Sequence, residues 1–464
     1  MTDADRAAGR AEAALDQTLA RLAEYLRYPA ISSDPSHAAD VRRLASRIRD
    51  DLDTLGLDRA RVLELEGALP SVAAERMNAG RGKPTVLIYG HLDLQPVAGE
   101  PWTTDPHEAV TKDGRLYARG SADDMGGWLS HLAAIEAWLG EVGELPCNVR
   151  LFLEGEEEIG SPNLERYMDA YPDAFEADVM VLTDCENPSV DVPGLTVSLR
   201  GLLEVELTCR ALRADVHSGL WGNAVPDPSL ALVKLIAGLT DDVGRLRLGR
   251  QEVDAAWREA AAEVPLDAEV VREGARLCDG VDPLPTQGRT LAEWMWRQPA
   301  VTVLSTTLPA RGREKNAIRA EASARLSFRV APGQRAEELF ALVQDALTAR
   351  PPGGVEVEVN AGTMADGWLY QPRGPAFPAA DRAYEKAWGH RLVPIGVGGT
   401  IPFVAMFGRR FGDLPLILNG VMDPRTGAHG PDESMDLGIF RRAVLANVHL
   451  LAELAEVEGL GGGA

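Results

Sequence analysis

The amino-acid sequence predicts an α/β protein with a mostly parallel β-sheet and an inserted segment of α+β character. Three observations support this fold class. Short uncharged runs of β-branched and aliphatic residues predict buried strands. Apolar stretches of helical length lie between these runs. Between residues 195 and 373 the strand-like runs instead alternate polar and apolar residues, which is typical of an antiparallel sheet with one solvated face.

Length, charge and cysteine usage exclude several classes of protein. A chain of 464 residues is long enough for two or three domains with sizeable cores. Its net charge of −23 is spread along the chain, which argues against nucleic acid or an anionic membrane as a partner. The four cysteines show no CxxC spacing, and the sequence contains no apolar secretion signal or membrane-length run. We therefore expect reduced thiols in a cytoplasmic protein.

The first elements are predicted to be helices. Residues Asp5 to Tyr28 have leucines spaced three and four apart, which predicts one amphipathic helix. The turn residues of Pro29 to Pro35 predict a loop, and His37 to Leu55 predicts a second helix. The first helix presents an apolar stripe and is therefore expected to pack against another part of the protein.

The segment Thr85 to Tyr89 predicts a strand buried on both faces, and Gly90 ends it. His91 and Asp93 follow at the carboxyl end of this strand, where open α/β sheets place their ligands. An imidazole with a carboxylate behind it suits a metal site. A polar turn that caps the strand is the alternative interpretation.

The next cluster is GSADDMGG, Gly120 to Gly127, which precedes an apolar helix from Trp128 to Leu139. One acid at this position is explained by helix capping and the helix macrodipole. Two adjacent carboxylates, Asp123 and Asp124, repel each other, so the pair favours a bound cation over capping alone.

Two further buried strands are predicted to end in acids. Val149 to Leu153 runs into EGEEEIGS, and Ala177 to Leu182 runs into Asp184 with Glu186 close by. A charged run facing water is the usual alternative for such acids, but their position at strand ends favours a site. Downstream, the strand LILNG precedes a glycine-flanked His429. Two histidines and several carboxylates at one sheet edge form a ligand set for two divalent cations.

Seven motifs are spread along the chain in the order YGHLDLQP, RGSADDMGG, EGEEEIGS, LTDCEN, DVHSGLWGN, GVGGTIPF and GAHGPDE. Together, and in this order, they resemble those of a known family, the co-catalytic metallopeptidases that include peptidase T, glutamate carboxypeptidase, acetylornithine deacetylase and succinyl-diaminopimelate desuccinylase. The carnosinase-like, cytosolic nonspecific dipeptidase branch is the most similar. The resemblance implies a two-metal hydrolase that cleaves the peptide bond of dipeptides.

The resemblance also implies roles for individual residues. Two divalent metals are expected, most readily zinc, with manganese or cobalt as alternatives. By position, the metal ligands are His91 and Asp184 for one metal, Glu158 and His429 for the other, and Asp123 as the bridge. Asp93 is expected behind His91, Glu157 is expected to be the general base, and the Asp123–Asp124 bond is expected to be cis. Glu186 could replace Asp184, although the register of the preceding strand favours Asp184.

The family's architecture implies a catalytic domain in two parts, residues 1–194 and 374–464, and a lid and dimerisation domain at 195–373. Alternating runs within 203–210, 322–330 and 355–360 predict the lid strands, and 228–239 and 335–347 predict its helices. The charged stretch Thr240 to Arg297 resembles the lid insertion of the dipeptidase branch. The resemblance further implies a homodimer that forms through the lid domain.

Substrate contacts are also implied by the resemblance. His217 is expected to reach the partner subunit's active site, where it steadies the oxyanion. Arg329 and the loop Gly398, Gly399 and Thr400 are expected to bind the substrate's terminal carboxylate. Lys315 and Asn316 either assist carbonyl binding or form an ordinary strand entry. Met125 stands where the family usually has lysine.

Two alternatives to a dipeptidase remain. An N-acyl amino-acid deacylase has the same scaffold, but the insertion and Asp184 argue against it. A catalytically silent, dimeric binding protein is the other alternative. The presence of Glu157 beside Glu158 argues against this, because a structural site needs the ligand but not the base.

Overall fold

The computed structural model of the protein describes residues 1–398, 402–412 and 414–461. Its main sheet has six strands. Four neighbouring strands run parallel, and the two strands at one edge join through antiparallel ladders. The prediction of a mostly parallel sheet is confirmed. In spatial order, the strands are Asp58–Leu63, Ser71–Arg76, Asn148–Glu154, Thr85–His91, Val179–Leu182 and Leu416–Leu418.

The central strand, Thr85–His91, is buried on both faces. Val86 and Ile88 pack into one apolar cluster, whereas Leu87 and Tyr89 pack into another on the opposite face. Successive side chains of a strand point to opposite sides, so an uninterrupted apolar run fits a strand covered twice. The uncharged run therefore predicted its environment correctly.

Helices cover both faces of the main sheet. The long helix Met125–Glu141 is almost wholly buried and lies against Asp3–Ala13 and Leu437–Ala455. The cluster on this face also includes Leu15–Leu26, Ala38–Thr54 and Ala376–Trp388. The opposite face is covered by Leu164–Ala170 and Pro402–Phe411.

The prediction of one helix from Asp5 to Tyr28 was wrong, because the chain forms two. Asp3–Ala13 ends where the backbone at Ala14 leaves helical geometry, with φ −98° and ψ 2°, and Leu15–Leu26 follows. The first helix buries alanines, including Ala7, and the second buries larger side chains, including Leu22. Leucine spacing identified the buried stripe but carried no sign of the break.

The inserted segment forms an antiparallel sheet with helices packed on it, as predicted. Alternate residues of Gly201–Arg210 are buried, which matches the alternating sequence. Helices Pro228–Gly238 and Ala336–Thr348 contribute to the same apolar cluster as the sheet. In spatial order, the four strands are Ala300–Thr306, Glu321–Val330, Gly201–Arg210 and Glu356–Ala365.

Three smaller sheets and several short helices complete the described part of the chain. One sheet pairs Val216–His217 with Ala317–Ile318. The others are Ser434–Asp436, Arg115–Tyr117 and Val110–Lys112, and Trp368–Leu369, Gly194–Leu199 and Val393–Val397. The short α-helices are Ser218–Trp221, Ala255–Ala261, Ala268–Gly274 and Leu291–Arg297, and the 3-10 turns are Pro35–His37, Glu157–Ile159, Pro172–Ala174 and Pro352–Gly354.

The boundaries of the inserted domain stay a prediction, and we propose one adjustment. Strand Gly194–Leu199 pairs in parallel with Val393–Val397, which belongs to the second part of the predicted catalytic domain. The chain enters the inserted domain near Gly201 and leaves it near Ala365. These two points lie side by side, since a Cβ on Gly201 would stand 2.1 Å from the Ala365 carbonyl oxygen. We therefore propose that the inserted domain begins near Gly201 rather than at residue 195.

Among the described residues, no helix combines the length and apolarity that crossing a membrane requires.

Candidate metal centre

Five side chains from distant parts of the sequence meet near the carboxyl ends of the parallel strands. His91 ends the central strand, Asp184 follows Val179–Leu182, and Glu158 lies in the turn after Asn148–Glu154. The ligand atoms of His91, Asp123 and Asp184 all lie within 4.8 Å of one another. The same holds for Asp123, Glu158 and His429. The structure thus brings together all five predicted ligands, in two sets that share Asp123.

Asp123 lies between the two histidines. Its Oδ1 atom is 3.1 Å from Nε2 of His91, and its Oδ2 atom is 3.1 Å from Nε2 of His429. Each remaining acid is near the histidine of its own set, with Asp184 3.9 Å from His91 and Glu158 3.4 Å from His429. A carboxylate with one oxygen toward each imidazole is suited to bridging two cations.

Asp93 lies behind His91 and also holds the turn that carries two of the glutamates. Nδ1 of His91 is 3.1 Å from the Asp93 carbonyl oxygen and 3.5 Å from its carboxylate. The backbone N–H groups of Glu157 and Glu158 donate to the Asp93 carboxylate at 3.2 and 3.1 Å. One buried side chain thereby fixes the orientation of an imidazole and the position of both glutamates.

The turn that carries Asp123 has the predicted cis bond between Asp123 and Asp124. Asp124 faces inward, where its carboxylate accepts hydrogen bonds from the Thr183 hydroxyl at 2.6 Å and the His91 N–H at 3.2 Å. Gly90 makes room for this contact, because a Cβ there would stand 2.6 Å from the Asp124 carboxylate. Asp124 therefore joins the Asp123 turn to the strand that carries His91.

Glu433 supports the same turn from the other side, and the sequence reasoning missed it. One oxygen of its buried carboxylate accepts from the backbone N–H groups of Gly120, Ala122 and Asp123 at 3.1, 3.2 and 3.2 Å. The other oxygen pairs with Arg119 at 2.8 Å. Its presence in GAHGPDE, four residues after His429, was the available signal.

The pKa shifts indicate an excess of buried acid. Burial, followed by the charge of Asp123, raises the pKa of Glu158 well above its usual range. The same two causes raise the pKa of Asp184 to about 7. Burial opposes a charged His91, but hydrogen bonds to Asp123 and Asp93 outweigh it and raise the pKa of the imidazole. Divalent cations would stabilise the ionised carboxylates and the neutral imidazoles that serve as ligands, so the donor set fits a pair of them.

A cavity of about 560 Å³ opens onto both ligand sets. One part of its wall consists of Asp123, Glu158, Asp184 and His429. The rest is mixed polar and apolar, and consists of Gln95, Glu157, Gly160, Cys185, Glu186, Arg200, Met295, Trp296, Val397, Gly398, Met422 and Ala428.

The sequence model of peptidase family M20/M25/M40 matches residues 87–455, a span that contains both ligand sets and the inserted domain. The chain belongs to this family. It is therefore an enzyme that hydrolyses peptide bonds, and its centre is a divalent-metal site.

Characterised relatives of this M20 peptidase match over most of their length. The cysteinylglycine-S-conjugate dipeptidase of Corynebacterium striatum is 33% identical, over 93% of this chain and 94% of its own. The beta-Ala-His dipeptidase of Rattus norvegicus is 30% identical, over 80% and 77% respectively. The structure of the dipeptidase Dug1p from Saccharomyces cerevisiae covers 98% of this chain and 100% of its own, with a TM-score of 0.80 and 22% identity, which shows a shared fold.

Only some of the residues predicted to bind substrate are found at the cavity. Gly398 lines the cavity, and its carbonyl accepts from Nε of Arg200 at 3.1 Å. Arg329 is half-buried near the end of its strand. Burial lowers the pKa of Arg200 to about 10, and the positive charge of Arg329 contributes to this shift. Gly399 and Thr400 lie outside the described residues.

His217 and Asn316 lie away from the cavity wall of their own chain. Both are exposed, and they are neighbours across the small sheet, where the N–H of Ser218 donates to the Asn316 carbonyl at 3.1 Å. Lys315 is exposed beside Asn316. Nδ1 of His217 accepts from the N–H of Gly219 at 3.0 Å. Within one chain, these side chains are not brought to the metal centre of the M20 peptidase.

Two contributions to the cavity were missed at the level of sequence. Arg200 follows directly on Gly194–Leu199, and Gln95 donates to the Glu158 carboxylate at 2.7 Å. The predicted insertion, residues 240–297, also reaches the cavity, because helix Leu291–Arg297 places Met295 and Trp296 in its wall. Gln95 belongs to the motif YGHLDLQP, which was the available signal, whereas the motifs include neither Arg200 nor Met295 and Trp296, whose positions depend on how the inserted domain packs.

Proposed function

We propose that this M20 peptidase is a two-metal dipeptidase, and that Asp123 bridges its metals. The observation that carries the proposal is the position of Asp123, with one carboxylate oxygen toward each histidine and a separate acid beside each histidine. His91 and Asp184 would hold one cation, and Glu158 and His429 the other. Zinc suits this mixture of imidazole and carboxylate, and manganese and cobalt share the preference.

Glu157 is the proposed general base. It lines the cavity beside the ligand Glu158, and burial raises the pKa of its carboxyl well above the usual range, with Asp184 adding to the rise. When bound, the cations supply Lewis-acid stabilisation and lower the pKa of water. Glu157 accepts a proton from the attacking water and donates it to the leaving amine, which is a role that a carboxyl with a raised pKa performs efficiently.

A dipeptide is the proposed substrate class. The relatives named above act on cysteinylglycine conjugates and on beta-Ala-His, and both are dipeptide substrates by name. The cavity of about 560 Å³ combines an acidic end with the basic Arg200 and an apolar wall that includes Met295. A site of mixed polarity and this size is suited to a short peptide with charged termini.

The proposal includes a cytoplasmic homodimer. His217 and Asn316 are exposed and lie apart from their own cavity, which supports a role in the site of a second copy. Leu220 and Trp221, directly after His217, are 76% and 48% exposed and offer apolar area for such a contact. The four cysteines are all unpaired, which supports a reducing compartment.

The first test measures hydrolysis after chelation and reloading. The chelated protein should be inactive, and zinc, manganese or cobalt should restore cleavage of Ala-Gly, Cys-Gly and β-Ala-His, as followed by amine release. N-Acetylalanine is the comparison substrate. Faster cleavage of N-acetylalanine than of every dipeptide would instead establish a deacylase.

The second test removes the proposed base. Glu157→Gln should lower kcat by about 10²–10⁴-fold, which is the usual size of a general-base contribution. Metal analysis should still give two ions per chain, because the ligands are intact. Glu165→Gln, an exposed glutamate on helix Leu164–Ala170, is the matched control and should retain activity. Dipeptide binding without cleavage in the wild type, unchanged in Glu157→Gln, would establish a silent binding protein.

A further inference from the structure

We propose that Glu186 binds the free α-ammonium group of the substrate and makes the site selective for peptides with an unblocked amino terminus. The inference rests on the proposed dipeptidase function and deepens it by assigning the residue that recognises the amino end. It concerns a carboxylate that faces the cavity but belongs to neither ligand set.

The backbone places Glu186 beside the metal centre. Asp184 and Glu186 lie two residues apart just after strand Val179–Leu182, and both line the cavity. Cys185, between them, is buried. A β-bridge between Glu186 and Met422 anchors this part of the chain, and Met422 also lines the cavity. The carboxylate therefore has a fixed position at the wall close to Asp184.

No cationic side chain that the structure describes is paired with Glu186, since no such lysine, arginine or histidine forms an ion pair or hydrogen bond with its carboxylate. The charged groups near it include two acids, because the Glu186 carboxylate is close enough to repel those of Asp423 and Asp184 electrostatically. Asp423 is already paired with Arg115 at 2.8 Å, and Asp184 belongs to a ligand set. Glu186 is exposed to the cavity and is the remaining acid of this group, so it can pair with a cation from the substrate.

The geometry also distinguishes Glu186 from a metal ligand. Its carboxylate is absent from both groups whose ligand atoms lie within 4.8 Å of one another, although Asp184 belongs to one. A substrate whose scissile carbonyl lies at the metals has its amino group only a few atoms away. A carboxylate beside the ligand set, at the cavity wall, is therefore placed to receive an ammonium rather than a metal.

This assignment predicts discrimination by charge at the amino end. A dipeptide ammonium supplies the missing positive charge and donates hydrogen bonds to the carboxylate. A ligand that lacks the amine gains no such contact while Glu186 stays hydrated, so it binds less tightly than the dipeptide. Arg200 lies in the same wall, so the cavity offers opposite charges for the two ends of a zwitterion.

The test uses Glu186→Gln in the metal-loaded, full-length enzyme with two matched ligands. Ala-Gly is the substrate, and propionylglycine, which has the same shape without the amine, is measured as an inhibitor through its Ki. Glu186→Gln should lower kcat/KM for Ala-Gly by about 30-fold, in the range of a charge-assisted hydrogen bond. The Ki of propionylglycine should stay within about threefold of the wild-type value, since it makes no such bond. Exposed Glu144→Gln is the control and should change neither value.

Metal content and melting temperature complete the test. Retention of both ions in Glu186→Gln, with the selective loss described, supports the inference. Loss of one ion would show that Glu186 is a ligand and would overturn it. An unchanged kcat/KM for Ala-Gly in Glu186→Gln, while the wild type remains active, overturns this inference and leaves the dipeptidase standing. A wild type inactive on every dipeptide overturns both.

Discussion

At the scale of single residues, carboxylates that lie outside both candidate ligand sets support the proposed metal centre. Asp93 holds His91 and the Glu157–Glu158 turn, and Asp124 ties the Asp123 turn to the central strand. Glu433 accepts three backbone hydrogen bonds from the Asp123 turn. Each of these residues positions a proposed ligand through hydrogen bonds, so that side chains drawn from five segments are held together by the surrounding protein.

Glu433 provides a residue-scale prediction. Glu433→Ala removes the acceptor of three N–H groups and leaves the buried Arg119 with its longer ion pair to Glu100 at 3.5 Å, so we expect a loss of about 3–5 kcal/mol of unfolding free energy. Metal affinity should fall by about 10–100-fold, because the turn that presents Asp123 loses its support. Chemical denaturation and calorimetric titration with zinc measure the two effects.

Asp432→Asn is the matched control for this prediction. Asp432 is the preceding residue, but its carboxylate accepts from the backbone N–H of Thr103 at 2.8 Å and contacts no part of the Asp123 turn. Its substitution should leave metal affinity unchanged. Wild-type affinity for both ions in Glu433→Ala would contradict the supporting role of Glu433.

At the scale of elements, helix Met125–Glu141 brings the Asp123 turn onto the sheet. Its first turn contains Gly126 and Gly127 and is fully buried. A Cβ on Gly126 would stand 2.2 Å from the backbone oxygen of Ser121, and one on Gly127 would stand 2.1 Å from the Asp124 carboxylate. The two glycines therefore permit a close approach between the helix and the ligand turn that a larger residue would prevent.

Substitution of Gly126 provides the element-scale prediction. Gly126→Ala should destabilise the protein by about 1–3 kcal/mol, because the clash is with backbone that cannot move without displacing the Asp123 turn. Activity should fall together with stability. Thermal unfolding and kcat/KM for Ala-Gly measure both changes.

Gly9→Ala is its control, since it lies in the exposed part of helix Asp3–Ala13 with nothing within 4 Å of the added carbon. This change should stabilise the helix by about 0.5–1 kcal/mol and leave activity unaltered. Equal stability of Gly126→Ala and the wild type would show that the close approach is dispensable.

At the scale of the whole molecule, the inserted domain lines the cavity but supplies none of the five proposed metal ligands. These ligands all belong to the first and last parts of the chain, whereas Met295 and Trp296, which line the cavity, belong to residues 240–297. Trp296 packs with Val393 and Ile395, so the insertion is anchored to the strand that precedes the Gly398 loop. The shape of the cavity thus depends on packing between domains. In the proposed dimer, His217 also contributes to the site of a second copy.

The proposed dimer leads to a complementation prediction. His217→Ala and Glu157→Gln, each inactive alone, are unfolded together and refolded. If His217 serves the partner's site, each mixed dimer has one complete site, so random pairing should restore about a quarter of wild-type activity. Sedimentation and a dipeptide assay measure assembly and recovery.

The paired control mixes Glu157→Gln with the double variant His217→Ala and Glu157→Gln, which can form no complete site. It should stay inactive. A single-chain mass in sedimentation, or no recovery from the first mixture, would contradict a shared site.

Local patterns in the sequence predicted most of the helices and strands and the types of ligand. Uncharged runs identified the strands, alternation identified the inserted sheet, and acids or histidines at strand ends identified a divalent site, because burial and periodicity are local properties of the chain. The seven motifs identified the family, which the match over residues 87–455 confirmed. The roles of the individual site residues and the domain boundaries stay predictions.

Which side chains lie close together is known only from the tertiary structure. It placed the break at Ala14, the three N–H groups on Glu433, and Met295, Arg200 and Glu186 in one cavity wall. The contacts of Glu433 join residues 310 to 313 positions apart, and the cavity wall joins residues from separate elements, so no local pattern records them. They follow from the packing of helices and the inserted domain on the sheet, where side-chain volume and buried hydrogen bonds select one arrangement.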